Sequence, residues 1–419
     1  MKNGIVTKRQ LLIASVIGLP PLFVMCSSWE HARIVALFLS IVILWFTELL
    51  PLPITGILVP VLGVLYGLFN PKDAFLAFGN DILFLFIGCF FVAQAMQKHR
   101  WDKRMAYSIL SGPAGDLSPN GLVATLAIIA WVLSMWVSNT ATCAILTPVA
   151  LGIVASYAGQ SISEASIRNL TTQLLLATAF ASTMGGLATP VGTPPNLLAL
   201  DFLKQNGQDI SFFSWMILAA PISLAMLLAL LTVLRVFFPI PPFPTTTSVR
   251  TEFRSHLHAL GPIKREELQV AAVFLIMVAL WILPGLLESI FPESRLLAAI
   301  FSPFSLSMVG ISSALLLFWL EGPSGPNLSW SDAQEIDWGT ILLFGGGLSL
   351  GSLLTSSGLA KEIGVHLFAP DLSPFVLICL VVGLSILISE FASNTASAAI
   401  IIPILLSALH SADTTPVFI

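Results

Sequence analysis

Charge is what this 419-residue chain has least of: Asp, Glu, Lys and Arg together make up 10% of it, against 56% hydrophobic residues and a mean hydropathy of +0.93. So little charge cannot cover the surface of a soluble globule of that size, and a soluble enzyme or scaffold is excluded in favour of a chain that spans the membrane many times. Basic residues are scarce enough, at 18, and dispersed enough that no patch could track phosphates, which sets nucleic acid aside. Cysteine is also sparse. Cys26, Cys89, Cys143 and Cys379 stand singly in apolar segments, without zinc-ligand or disulfide spacing, and read as small packed hydrophobes. Lys2, Lys8 and Arg9 precede an apolar run without a small-residue cleavage site, so the amino terminus reads as a retained first transmembrane helix rather than a signal peptide.

What the chain does have is a tripeptide that occurs twice. Ser138-Asn139-Thr140 returns 255 residues later as Ser393-Asn394-Thr395. The match runs on without a gap: Val137 to Ile145 aligns with Ala392 to Ile400, and Pro148 with Pro403. Shared Ala, Ile and Pro positions make this an internal duplication, a hallmark of secondary transporters. An Asn amide beside two hydroxyls is costly at membrane depth unless it serves a ligand or a water-filled cavity. The competing reading has the hydroxyls bonding back to helix carbonyls and the Asn capping a helix, but it would have to hold at both copies.

Apolar stretches of near-spanning length lie at roughly 11–27, 32–50, 54–70, 82–97, 213–238, 269–287, 296–320 and 340–357. If the two SNT regions are hairpins that enter and leave on one side, 13 basic residues fall inside with the amino terminus and five outside. That bias places the amino terminus in the cytoplasm, although Glu321 to Asp337, assigned inside, has no Lys or Arg. Five crossings between the two tips make the repeats inverted. The predicted fold is therefore an all-α polytopic membrane protein, an inverted-repeat transporter with two re-entrant hairpins and broken helices. Its one long polar stretch, Pro239 to Glu267, is the expected cytoplasmic linker, a solvated amphipathic surface on which His256 and His258 have no metal-site spacing.

A second constellation follows the first tip. Gly185 to Asn196 packs three Gly and three Pro into twelve residues between apolar flanks, which no continuous helix tolerates. An unwound stretch there frees carbonyls for a cation, and the following helix is expected to offer N–H groups to an anion. No Lys or Arg lies between Arg104 and Arg168, or beyond Lys361. An anionic substrate must then be held by helix N-termini, amides, hydroxyls and co-bound cations. Hydroxyls, an Asn oxygen and carbonyls are hard, weakly charged ligands, suited to an alkali cation rather than a divalent one, with sodium the natural candidate.

These motifs, with Gly192-Thr193-Pro194-Pro195-Asn196, Trp45 to Pro51 and Ser389 to Thr395, resemble the divalent anion/sodium symporter family of dicarboxylate and citrate carriers over about residues 30 to 410. The resemblance implies a scaffold and a mobile transport domain working as an elevator, with the two hairpins meeting at the substrate, and a homodimer in the bacterial inner membrane. It implies a first sodium site of Ser134, Ser138, Asn139 and the Gly192 carbonyl, and a second of Ser389, the Ala392 carbonyl and Asn394. Substrate carboxylates would meet Asn139, Thr140, Thr193, Asn394 and Thr395, with Pro194 shaping the wall. The implied organisation is scaffold helices over 1–118, first hairpin, broken helix and following helix over 119–238, linker over 239–267, second-repeat scaffold over 268–372 and second hairpin over 373–419. The second counterpart of Gly192 to Asn196 would fall beyond Ile419, so the last broken helix is expected to be missing from a fragment or an early stop.

The function expected is sodium-coupled symport of di- or tricarboxylates such as succinate, malate, fumarate or citrate. The alternative is a sodium-independent dicarboxylate exchanger. A membrane enzyme is the rival from another class, and its one motif, Gly347-Leu348-Ser349-Leu350-Gly351, sits in an apolar helical run where a nucleophile elbow needs a strand and a turn. Glu48 and Glu390 are acids near membrane depth, and proton coupling through Glu390 is a minor possibility beside pairing with polar partners.

Overall fold

A computed structural model describes residues 8–25, 29, 31–157, 162–205, 207–241, 247–292, 294–323, 325–360, 362, 374–391 and 393–411. In chain order its helices are α1 (Lys8–Met25), α2 (Ala32–Thr47), α3 (Leu52–Leu65), α4 (Asp81–Lys98), α5 (Trp101–Leu110), α6 (Pro119–Ser134), α7 (Asn139–Ala155), α8 (Glu164–Leu187) and α9 (Pro194–Gln205). They continue as α10 (Phe212–Phe237), α11 (Thr247–Ala259), α12 (Arg265–Ile290), α13 (Arg295–Phe301), α14 (Leu306–Trp319), α15 (Trp330–Gln334), α16 (Trp338–Ser356), α17 (Pro374–Phe391) and α18 (Asn394–Ser411). The only strands among the described residues form a two-residue antiparallel pair, Glu321–Gly322 with Gly325–Pro326. The protein is thus an all-α polytopic membrane protein.

Among the described residues α4, α10, α12 and α16 are individually long and apolar enough to cross a bilayer, and α13 with α14 passes the same test only as a pair bent by 47°, either a broken span or a re-entrant loop. α10 and α12 turn large side chains outward, with Leu228, Val236, Phe237 and Leu275 all exposed, as helices solvated by lipid do. By contrast α6 and α7, at 16 and 17 residues, are shorter than the ~20 a crossing takes.

The chain divides into two compact units. One contains Phe84–Asn196 and Ser211–Ile336. Its core is the apolar stripe of α6 (Leu122, Leu126, Ala130, Leu133) against α7, α8, α10 and α11. Small residues let α6 and α8 approach: a Cβ added to Gly185 would lie 2.2 Å from the Trp131 carbonyl oxygen. Polar groups are satisfied across helices, Trp131 Nε1 donating to Ser223 Oγ at 2.7 Å and Ser223 Oγ to the Met184 carbonyl. In the polar stretch after α10, α11 leaves Arg250, Arg254, His256 and His258 exposed and uses its opposite face for packing. Helix α11 docks by burying Val249 and Phe253, its Arg250 pairs with Asp116 at 2.6 Å, its Glu252 accepts from Ser156 Oγ, and His256 stacks on Tyr107 with ring centroids 5.6 Å apart. Two apolar positions four apart were enough to give a charged helix a core face.

The other unit contains Met1–Leu83, Leu197–Ile210 and Asp337–Ile419. Here α3 and α16 meet backbone to backbone, since a Cβ on Gly346 would lie 2.4 Å from the Gly56 Cα and one on Gly56 2.6 Å from the Leu342 carbonyl oxygen. The Gly347 to Gly351 segment is mid-helix in α16. Its Ser349 is buried and donates to the Gly345 carbonyl at 3.0 Å, while Gly347 faces Ala399 and Gly351 faces Phe202. The glycines serve close packing, and nothing about Ser349 resembles a nucleophile. The cysteines are free: Cys89 is buried, Cys143 half-buried and Cys379 exposed, and Cys26 lies outside the described residues. Glu48 ends α2 in a left-handed conformation (φ 48°), exposed, as Glu390 is at the end of α17.

Candidate functional site

The first SNT motif is the head of α7. Ser138 caps that helix, its hydroxyl accepting from the Ala141 N–H at 3.3 Å and its carbonyl from the Thr142 N–H at 2.9 Å. A helix leaves its first N–H groups without intrahelical partners, so the two that Ser138 does not take belong to Asn139 and Thr140. Both residues face outward enough to meet a ligand: Thr140 is exposed and Asn139 half-buried. One turn upstream, at the end of α6, the fully buried Ser134 donates its hydroxyl to Asn139 Oδ1 at 2.6 Å. That bond fixes the amide oxygen in place.

The unwound segment after α8 is stitched to the same tip. Thr189 donates its hydroxyl to the Met135 carbonyl, between α6 and α7. The buried amide Nδ2 of Asn196 donates to two carbonyls, those of Gly186 and Thr189, each at 2.9 Å. Where the prolines have removed helical donors, a side-chain amide replaces them. Gly186 and Gly192 meet so closely that a Cβ on Gly192 would lie 2.5 Å from the Gly186 carbonyl oxygen. One on Gly186 would lie 2.5 Å from Asn139 Oδ1 and 3.1 Å from the Gly192 carbonyl oxygen. Three oxygens therefore lie close together, Ser134 Oγ on Asn139 Oδ1 and the Gly192 carbonyl beside that amide across Gly186. None is charged, and the hard oxygen set fits an alkali cation. Among the described residues there is no cluster of His, Cys, Asp and Glu able to hold a divalent metal.

Of the residues expected at this site, the structure brings Ser134, Asn139 and Gly192 together. Ser138 is committed as a cap, and Thr193 and Pro194 are half-buried at the start of α9. Gly186, Thr189 and Asn196, which complete the arrangement, lay inside the Gly185 to Asn196 motif but were not singled out by it. The expectation that α9 presents N–H groups to an anion is not met. Its first two residues are Pro194 and Pro195, which have no N–H, and the Asn196 N–H is taken by the Thr193 carbonyl at 3.2 Å.

The second SNT motif heads α18 in the other unit. Ser393 again accepts at its carbonyl from the residue four on, Ser397 N–H, at 2.8 Å. Thr395 is buried and Asn394 exposed. Ser389 differs from its counterpart Ser134: it is less buried and donates to the Ile386 carbonyl at 3.0 Å, within its own helix. Ala392 lies outside the described residues.

A family model described as citrate transporter matches residues 42–418. An uncharacterised transporter of Methanocaldococcus jannaschii is 35% identical over 366 residues, covering 86% of this chain and 75% of that one. A sodium-dependent dicarboxylate transporter of Staphylococcus aureus, SdcS, is 31% identical over 386 residues, covering 90% of this chain and 72% of its own. The same transporter from other strains of that species is 30% identical over the same length.

Proposed function

Because this chain belongs to the citrate transporter family, whose members here are transporters and not enzymes, we propose that it is a sodium-coupled symporter of di- or tricarboxylates. The observation that carries the reading is the uncharged oxygen cluster at the first tip. Ser134 Oγ and Asn139 Oδ1, 2.6 Å apart, stand near the Gly192 carbonyl where no basic residue is near in sequence. A site without cationic side chains holds a dianion with amide, hydroxyl and helix N-terminal donors, and a co-bound cation supplies part of the missing charge. Sodium bound by Ser134, Asn139 and Gly192, with Ser138 beside them, lowers the electrostatic cost of a carboxylate at Asn139, Thr140 and Thr193, against the ring of Pro194. In the second half, Ser389, Ala392 and Asn394 hold sodium, and Asn394 and Thr395 meet a carboxylate. The dicarboxylate specificity of SdcS and its sodium dependence support both parts of this reading.

Transport by an elevator motion is supported by the way Thr189 and Asn196 bind the unwound segment to the tip, which lets the cluster travel as a body with its ion. The inverted repeats rest on the duplicated SNT motif and the odd number of crossings between its copies. A homodimer in the bacterial inner membrane with a cytoplasmic amino terminus completes the proposal, the last supported by the 13 to five distribution of basic residues.

Uptake of radiolabelled succinate into proteoliposomes holding the full-length protein tests this, with an inward sodium gradient and then with choline in its place. Uptake that needs sodium and is lost in Asn139→Ala supports the symporter. Counterflow that proceeds equally in choline replaces it with an exchanger.

A further inference from the structure

Among the described residues, two hydroxyls at matching positions of the two SNT motifs, Thr142 Oγ1 and Ser397 Oγ, are buried without a hydrogen-bond partner. They are the same position of the two repeats, three residues after Asn139 and three after Asn394. Their backbones also match, each N–H bonding to the carbonyl of its own SNT serine.

Helical Thr and Ser side chains have an easy way to avoid this state, which is to donate to the carbonyl one turn back. Thr147, Thr171, Thr178 and Ser182 on α7 and α8 all do so, at 2.7 to 2.8 Å. Thr142 and Ser397 do not. A buried, unsatisfied hydroxyl destabilises a fold, and an apolar residue of the same shape would remove the cost. Its presence at both copies of a duplicated motif therefore points to a ligand that satisfies it.

The register of α7 and α8 says where Thr142 sits. Asn139 lies against Gly186, and Cys143 Sγ lies 3.9 Å from the Thr178 carbonyl oxygen, so the two helices run antiparallel down from the tip. Thr142, at i+3 from Asn139, shares the face of α7 that carries Asn139. It thus stands one helical turn below Asn139, whose amide oxygen belongs to the cluster. In the other unit Ser397 stands one turn below Asn394 by the same spacing.

We propose that Thr142 and Ser397 are each the innermost oxygen ligand of the alkali cation bound at their own SNT tip, an inference that rests on the sodium-coupled reading above. A hydroxyl left free of its own helix supplies a neutral, hard oxygen from below, where the tip supplies the others from above. Loading the ion gives that oxygen the partner its own helix does not supply.

Thermal unfolding of the purified full-length protein against sodium chloride, with choline chloride holding ionic strength and no substrate present, tests the proposal. Thr142→Val and Ser397→Ala are expected to need at least ~10-fold more sodium for the same stabilisation, while melting in choline chloride at or above the wild-type temperature. Thr142→Ser, which keeps the hydroxyl, is expected to stay within ~3-fold of wild type. Wild-type sodium curves for both hydroxyl-deleting variants would overturn the inference. So would a loss of stability in choline alone, which would mean that a bound water or a protein group was the partner. If the wild type takes up succinate without any sodium response in either assay, the symport reading fails and this inference fails with it. A sodium-responsive wild type with unaffected variants removes the inference alone.

Discussion

Gly186→Ala is the sharpest probe of the first tip. The added Cβ would lie 2.5 Å from Asn139 Oδ1 and 3.3 Å from its Cγ, where ordinary contacts of carbon need ~3.5 Å. The Gly186 backbone has little room to retreat. Its carbonyl is held by Asn196 Nδ2, and its neighbour Gly185 is pressed against the Trp131 carbonyl. The Asn139 amide must therefore give way, by about 1 Å, and leave the bond from Ser134. Overpacking of this kind costs about 1–3 kcal/mol. Placed on the loaded site, with a factor of ten for each 1.4 kcal/mol, that raises the sodium concentration for half-maximal uptake roughly 5- to 150-fold. The assay is a sodium titration of succinate uptake in proteoliposomes, paired with melting in choline chloride. Gly192→Ala, whose Cβ would meet the Gly186 carbonyl oxygen at 2.5 Å, is expected to behave alike, and Gly79→Ala, with nothing within 4 Å, to behave as wild type. A Gly186→Ala protein with sodium half-saturation within twofold of wild type would refute the reasoning, because the amide oxygen could not then be part of a tightly built cation site.

Other substitutions read other parts of the molecule. Asn196→Asp replaces a donor to two carbonyls with an acceptor facing them, and is expected to abolish uptake while Asn196→Gln leaves a measurable residue of it. Arg104 forks onto the buried Glu267 and donates to the Gly261 carbonyl at 3.1 Å, so Arg104→Ala strands a carboxylate at a cost of about 3–5 kcal/mol. Folded yield by size exclusion should collapse in that variant and recover in part on adding Glu267→Gln. Burial on the short helix α5 pushes the Asp102 carboxyl up from 3.8 to about 6, against the opposing bond from the Lys103 N–H at 2.7 Å. The folded chain thus holds a proton near pH 5 that the unfolded chain releases, and stability falls as pH rises from about 4 to about 6. Asp102→Asn should melt without that slope and gain up to about 3 kcal/mol at neutral pH. An equal slope in both proteins would assign the titration elsewhere.

The duplicated tripeptide and the glycine-proline segment were legible because both break rules that apolar helices otherwise keep. Polar atoms at membrane depth and consecutive prolines announce themselves without any knowledge of the fold. Ser134 could also be found, one turn before the tip. The partners that finish the site were not, because their signal depends on packing. Asn196 looks like any helix-start amide until the chain folds back to put the carbonyls of Gly186 and Thr189 on it, and Gly186 is one of 29 glycines until Asn139 arrives. The docking of helix α11 was not legible for a related reason. Composition reports its charges, while its apolar anchors are only Val249 and Phe253, with Arg250, Glu252 and His256 adding polar and ring contacts that need the folded partners. The donors expected from α9 failed on a point the sequence did contain, since Pro194 and Pro195 have no N–H to give.

One close backbone contact of the amino-terminal helices is made with a segment synthesised long afterwards. Gly56 on α3 rests directly on Leu342 and Gly346 of α16, with no side chain between them. Translation at ~5–20 residues per second separates the two by roughly 15 to 60 seconds. Throughout that interval a helix containing Pro60, and opened by Pro51 and Pro53, has a bare backbone stripe with nothing to cover it. Lipid, an insertion chaperone or a neighbouring nascent helix must shelter that stripe until α16 is threaded in. Early assembly, rather than the finished protein, is therefore where a bulkier residue at position 56 would first be felt.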